Sequence, residues 1–192
     1  MPDPVLHLIA GPNGAGKSTL FELVIGPATG LELVNADVIA AERWPDDTAA
    51  RAYEAARLAA ARRDELLAAR ASFVTETVFS HESKVSLVKV AADTGYLVTL
   101  HVVAVPEDLA VARVANRVEN GGHFVPEEKV RARYQRLWHL IADAIASAET
   151  THVYDNSSAS TPFRVVATFE RGVEVAKPSW PRWTPKALRS SR

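Results

Sequence analysis

Cysteine is absent from the 192 residues, which excludes disulfides, thiolate metal sites and a cysteine nucleophile. Long hydrophobic runs are missing as well. The apolar opening, Val5 to Ala10, is interrupted by Gly11 and Pro12 and is too short for a bilayer span or the core of a secretion signal. Neither sign of charge dominates. Lys and Arg number 22 against 23 Asp and Glu, a net charge of −1, which disfavours nucleic acid or a membrane surface as the main partner. Internal repeats and low-complexity linkers are lacking too. A chain with 47% hydrophobic and 23% charged residues is neither disordered nor fibrous. The expectation is one soluble, cytoplasmic globular domain with a full core.

What charge there is falls unevenly. Residues 177–192 carry five basic side chains and no acidic one, leaving 17 basic against 23 acidic on the remainder. The same stretch holds Pro178, Pro181 and Pro185 together with Trp180 and Trp183. Proline extends neither a helix nor a central strand, so an extended tail laid over the domain by its tryptophans is expected. Residues 1–176 form the domain proper.

Short apolar runs alternate with helical patterns, the signature of an α/β fold with a mostly parallel central sheet. Strands are predicted at Val5 to Ala10, Leu31 to Asn35, Ser72 to Glu76, Tyr96 to Val105, His152 to Tyr154 and Phe163 to Phe169. Helices are predicted from about Lys17 to Val24, Asp47 to Arg70, Glu82 to Asp93, Pro106 to Asn120, and onward from Pro126. In the last of these Leu137, Leu140, Ile141, Ala144, Ile145 and Ala148 keep i, i+3, i+4 spacing, which packs it on the sheet.

Between the first strand and the first helix stands Gly11-Pro12-Asn13-Gly14-Ala15-Gly16-Lys17-Ser18, a full match to G-x-x-x-x-G-K-[ST] in the context the motif requires. Its glycines let backbone N–H groups curl around an anion, aided by the helix N-terminus that follows. This predicts a three-layer P-loop NTPase fold binding ATP through Gly11, Asn13, Gly14, Ala15, Gly16, Lys17, Ser18 and Thr19. Lys17 would reach the β- and γ-phosphates and the Ser18 hydroxyl would ligate Mg²⁺.

The fate of the γ-phosphate is read from the other strand ends. No strand shows four apolar residues running directly into Asp-Glu, as a motor ATPase would, and no Asn-Lys-x-Asp reads guanine. A kinase needs instead a base near the acceptor hydroxyl and arginines for the transferring phosphoryl group. Asp37 lies just past the second strand, at the edge that faces the phosphate crevice, and suits the base; capping the following helix is the competing role. Asn35 points the same way if the strand continues to Asp37. Glu76, Thr77 and Ser80 end the third strand on that edge and are candidates for substrate hydroxyls or Mg²⁺-bound waters, against a capping turn.

Residues 113–136 have the composition of a helical lid. Arg113 and Arg117 are four apart, Asn120-Gly121-Gly122-His123 supplies a hinge, and Arg131, Arg133 and Arg136 follow. Arg117 and Arg133 are the pair assigned to catalysis; a solvated face paired with Glu119, Glu127 and Glu128 is the competing reading. After the fifth strand, Asn156 in Tyr154-Asp155-Asn156-Ser157 is placed at the adenine, with an Asx turn as the alternative.

Taken in order, Gly11 to Thr19, Val34-Asn35-Ala36-Asp37, Thr75-Glu76-Thr77-Val78-Phe79-Ser80, Gly95-Tyr96, Arg113-Val114-x-x-Arg117-Val118, Gly121-Gly122-His123-x-Val125-Pro126-Glu127, Arg133-Tyr134 and Tyr154-Asp155-Asn156-Ser157 resemble the zeta-toxin family of P-loop kinases over residues 4–158. The resemblance implies ATP- and Mg²⁺-dependent phosphorylation of UDP-N-acetylglucosamine at a sugar hydroxyl, with Asp37 as base, Lys17 as the P-loop lysine and lid arginines on phosphate. It also implies, for some members, a small helical antitoxin protein as partner. Two departures stand out: Val38-Ile39-Ala40 replaces the basic residue that often follows the catalytic Asp, and the chain is shorter than the better-known toxins. The alternatives are an ATP-hydrolysing switch acting on a partner protein, and a polynucleotide kinase using the basic tail.

Overall fold

The computed structural model describes residues 2–119 and 125–189. Val5–Ala10 (β1) is buried over its last three residues and pairs in parallel with Phe73–Thr77 (β3) on one side and Leu97–Ala104 (β4) on the other. A central strand covered on both faces must be apolar nearly throughout, and Leu6, Leu8, Ile9 and Ala10 are fully buried. The seven strands run in the order β2-β3-β1-β4-β5-β6-β7, where β2 is Leu33–Val34, β5 is Thr150–Asp155, β6 is Arg164–Glu170 and β7 is Val173–Glu174. The first five are parallel; β6 and β7 are antiparallel additions at one edge.

The helix after β1 is Lys17–Leu20 (α1), a π-helical stretch Phe21–Ile25, and Gly26–Thr29 (α2). Pro27 has no N–H for the carbonyl at Leu23, and the ladder shifts just ahead of it. The remaining helices are Ala36–Arg43 (α3), Ala52–Ala68 (α4), Ser83–Asp93 (α5), Glu107–Glu119 (α6), Glu127–Ile145 (α7) and Lys186–Arg189 (α8). α7 buries Val130, Tyr134, Leu137, Trp138, Ile141, Ala144 and Ile145, the stripe its sequence spacing predicts, with Leu140 only partly covered. None of the helices among the described residues is long and apolar enough to cross a membrane.

Two elements differ from expectation. β2 stops at Val34 rather than Asn35, because the Asn35 side chain leaves the ladder to cap α3. The tail does lie over the domain, with Trp180 against Phe169 at 6.5 Å and Trp183 packed on the core, but it ends in α8 rather than extended chain. Leu188 of that helix is fully buried, and burial of a single leucine is worth roughly 2 kcal/mol.

The two faces of the sheet differ. Leu6, Leu8, Val98, Leu100 and Val102 point to one side and are closed off from solvent. On the other side His7 (β1), His101 (β4) and His152 and Tyr154 (β5) form a ring cluster: His7 and His101 stack at 5.4 Å, and His101 lies 5.9 Å from His152 and 6.0 Å from Tyr154.

Candidate active site

The turn after β1 is shaped by its glycines. Gly14 and Gly16 hold φ of 75° and 93°, and a Cβ on Gly16 would stand 2.5 Å from the Asn156 side-chain nitrogen. The loop thus has room for main chain only, and apart from Ala15, whose N–H donates to the Pro12 carbonyl at 3.2 Å, its N–H groups can face an anion. The side-chain oxygen of Asn13 is buried there with no partner among the described residues.

Lys17 is 7% exposed. Its Nζ donates to the Pro12 carbonyl at 3.1 Å and lies 3.8 Å from the Glu76 carboxylate. Burial pulls the ammonium below its ordinary pKa; Glu76 and Asp37 oppose that pull and Arg117 adds to it. Four of the residues chosen from sequence therefore share one electrostatic neighbourhood.

Glu76 holds this neighbourhood together. The β1–β3 register sets Ile9 against Glu76, so the carboxylate emerges beside the P-loop. Its Oε2 accepts from the Ser18 hydroxyl at 3.0 Å and from the Asn35 side-chain amide at 3.1 Å. An acid contacting the P-loop serine is the donor set that an Mg²⁺ site requires, one ligand from the hydroxyl and a carboxylate behind it. β3 reaches Glu76 through Thr75 rather than through an unbroken apolar run; Thr75 is buried by donating its hydroxyl to the Val34 carbonyl at 2.9 Å, which ties β2 to β3.

Asn35 and Asp37 come together differently from the expected continuous strand. Asn35 is the N-cap of α3, its Oδ1 accepting from the Asp37 N–H at 2.7 Å. The capping role weighed for Asp37 thus belongs to Asn35. Asp37 sits in the first turn of α3, exposed, and its carboxylate makes no hydrogen bond among the described residues.

A cavity of 320 Å³ connects these groups. Its walls are Asn13, Gly14 and Gly16 through Thr19 of the P-loop, with the buried Ala15 left out, then Asp37, Glu76 and Val78, and on the far side Arg113 and Arg117 of α6. Thr77 and Ser80 stand outside that lining. Thr77 instead accepts the Phe79 N–H at 3.2 Å in a turn that carries Phe79 at a φ of 63°, with its ring fully buried. The turn is what presents Val78 to the cavity. Arg113 has a greater part in the site than its sequence position suggested; its Cβ lies close to Gly14, which fixes α6 against the loop.

The other arginines divide by partner. Arg131 pairs with Glu127 at 2.8 Å, Asp108 at 2.9 Å and Glu107 at 3.4 Å, a bridge between α6 and α7. Arg133 is half-buried on α7 and Arg136 is exposed; neither lines the cavity. The expected hinge at Asn120, Gly121, Gly122 and His123 lies outside the described residues. Asn156 is 8% exposed and both ends of its amide are used by the protein: Nδ2 donates to the Ala15 carbonyl at 2.8 Å and Oδ1 accepts from the Phe163 N–H at 3.4 Å. Its observed part is to brace the P-loop, not to offer a free edge to a base.

A family model described as an AAA domain matches residues 6–141, from β1 through most of α7. The chain belongs to that family. An uncharacterized protein of Haemophilus influenzae is 29% identical over 125 residues, 65% of this chain and 88% of its own. Among solved structures, the complex of AvrRxo1-ORF1 with AvrRxo1-ORF2 superposes with a TM-score of 0.69 at 20% identity, over 90% of this chain and 60% of that one. The PezAT chromosomal toxin–antitoxin system of Streptococcus pneumoniae gives 0.61 at 14% identity, over 88% and 72%. Shikimate kinase from Acinetobacter baumannii gives 0.51 at 17% identity, over 77% and 82%. The family member described here thus has the fold of P-loop kinases, and spans 60% of the length of the AvrRxo1 chain it resembles.

Proposed function

We propose that the protein is an ATP-dependent phosphotransferase that moves the γ-phosphoryl group to a hydroxyl of a small metabolite, UDP-N-acetylglucosamine being the acceptor that the zeta-toxin resemblance favours. The observation that carries the proposal is the free Asp37 carboxylate facing the P-loop across one cavity, in the electrostatic reach of Lys17. A carboxylate in that place can serve as the base for an acceptor hydroxyl, the part a kinase requires.

In this reading the glycine turn and Lys17 hold the ATP phosphates, and Arg113 and Arg117 approach from α6. Ser18 directly, and Glu76 behind it, would hold Mg²⁺, which neutralises charge on the phosphates when bound. Asp37 orients the acceptor hydroxyl and takes its proton late, as the new O–P bond forms and the bond to the leaving diphosphate oxygen breaks. A loose transition state places little demand on basicity, so an exposed carboxylate suffices. Arg133 of α7, which does not line the cavity, is the second arginine assigned to the phosphates. AvrRxo1-ORF1 is seen with a second chain and PezAT is a toxin–antitoxin system, and an antitoxin protein is the corresponding partner for this chain.

The test is ATP turnover with and without UDP-N-acetylglucosamine, products read by mass spectrometry. A gain of one phosphoryl on the sugar nucleotide is expected. ADP formed with the sugar nucleotide untouched would remove that acceptor and leave other hydroxylated metabolites to be tried.

A further inference from the structure

A second cavity, of 290 Å³, opens between α4 and α5 and shares no lining residue with the P-loop cavity. Ala60 and Leu67 of α4 and Leu87 and Val90 of α5 give it an apolar floor. Two cations stand over that floor, Arg63 from α4 and Lys84 from α5. Both are half-buried, and among the described residues neither charged end makes a hydrogen bond or an ion pair. The neighbouring Arg62 shows the contrast: it grips Glu32 through two bonds of 2.8 Å and Glu65 at 3.0 Å. Arg63 has no such grip; the acid that acts on it is its chain neighbour Asp64, through space. The single carboxylate in the lining, Asp64, is exposed and forms no ion pair.

Two like charges drawn partly out of water in one pocket oppose folding unless something neutralises them. Burial lowers the pKa of both; Asp64 opposes part of this at Arg63, and Arg63 lowers that of Lys84 further. The serines of the rim cannot do the neutralising. Ser83 is engaged with the His81 ring at 3.0 Å and Ser86 donates to the Glu82 carbonyl at 3.3 Å. A guanidinium fork beside an ammonium point charge is the pairing that fits an oxyanion, and the apolar floor fits a short carbon chain attached to it.

We propose that this cavity is a binding site for the phosphate or carboxylate group of a small ligand, held between Arg63 and Lys84, and separate from the nucleotide site. The test uses the full chain with its P-loop saturated by a non-hydrolysable ATP analogue, titrated calorimetrically with inorganic phosphate and, separately, with hexanoate. Arg63→Met and Lys84→Met keep the apolar stems and remove the charges. Wild type should bind a single equivalent of at least one probe, and each variant should lose about tenfold or more in affinity. Phosphate alone binding would assign a phosphorylated ligand, hexanoate alone a carboxylate. Without added anion both variants should melt at or above the wild-type temperature, since a repulsion is removed, and their ATP turnover should match wild type. No binding of either probe in the millimolar range, binding that survives both substitutions, or variants that melt lower by the same amount with and without anion would overturn the proposal.

Discussion

The side-chain amide of Asn156, at the end of β5, donates to the carbonyl of Ala15 inside the P-loop at 2.8 Å, joining residues 141 positions apart. The bond is buried, and the same amide stands where a side chain on Gly16 would have to go. Loop and strand therefore hold each other. Asn156→Ala leaves the Ala15 carbonyl without its donor, a loss of about 1–3 kcal/mol in a buried setting. Chemical unfolding should show that loss, and nucleotide titration should show weaker ATP binding because the loop is no longer pre-shaped. An unchanged dissociation constant for ATP would mean that the brace serves the fold alone.

Asp37→Asn should separate chemistry from binding. Among the described residues the carboxylate has no hydrogen bond to lose, so melting temperature and ATP affinity should stay near wild type. Phosphotransfer should fall by about 10²–10⁴, the span attributed to a positioned general base. Lys17→Ala should also abolish transfer, but with nucleotide affinity lost alongside it.

The arginines should sort by what they touch. Arg117 lines the nucleotide cavity, and Arg117→Ala should cost up to about 10³ in turnover, as loss of a phosphate-stabilising arginine does. Arg131→Ala breaks a bridge to Glu107, Asp108 and Glu127 and should lower the melting temperature slightly with turnover kept. Parallel kinetics on Arg133→Ala decide whether α7 contributes to the reaction.

The strand ends show what could be read from sequence and what could not. The P-loop was legible because its geometry is local: eight consecutive residues set both the glycine conformations and the place of Lys17. Glu76 was legible as a candidate for substrate hydroxyls or Mg²⁺-bound waters, but its contact with Ser18 was not, since that depends on β3 lying directly beside β1, a pairing that local pattern does not specify. Asn35 was read as the end of a strand; a buried asparagine can satisfy itself better by capping α3, and tertiary context chose that. Asn156 reaches the P-loop only because β4 and β5 stack in order from β1. Proline spacing in the tail suggests extended chain, yet Pro185 starts the helical turn of α8, since proline also fits the first position of a helix.

The histidine face predicts a loss of stability in acid. His101 is buried, and burial first, with His7 and His152 adding, brings its pKa down to about 3; burial lowers those of His7 and His152 as well. In the unfolded chain these rings protonate near the ordinary value of about 6.5. Above that pH both states are neutral at His101 and stability is flat. As pH falls below it, the unfolded state takes up a proton that the folded state refuses, and stability drops by about 1.4 kcal/mol per pH unit for this ring. The drop levels off near the folded pKa. Urea unfolding between neutral pH and mildly acidic pH should show the slope, and His101→Gln should flatten it whatever its own effect at neutral pH. An equal slope in the variant would place the acid sensitivity elsewhere.

Whether the γ-phosphoryl group goes to a hydroxyl or to water is decided most directly by running ATP turnover in ¹⁸O-labelled water with UDP-N-acetylglucosamine and a panel of other sugar nucleotides and polyols. A phosphotransferase using Asp37 should deliver an unlabelled phosphoryl group to an acceptor, and Asp37→Asn should suppress that product while ATP still binds. Release of ¹⁸O-labelled inorganic phosphate alone, with every acceptor unmodified and Asp37→Asn as active as wild type, would contradict it.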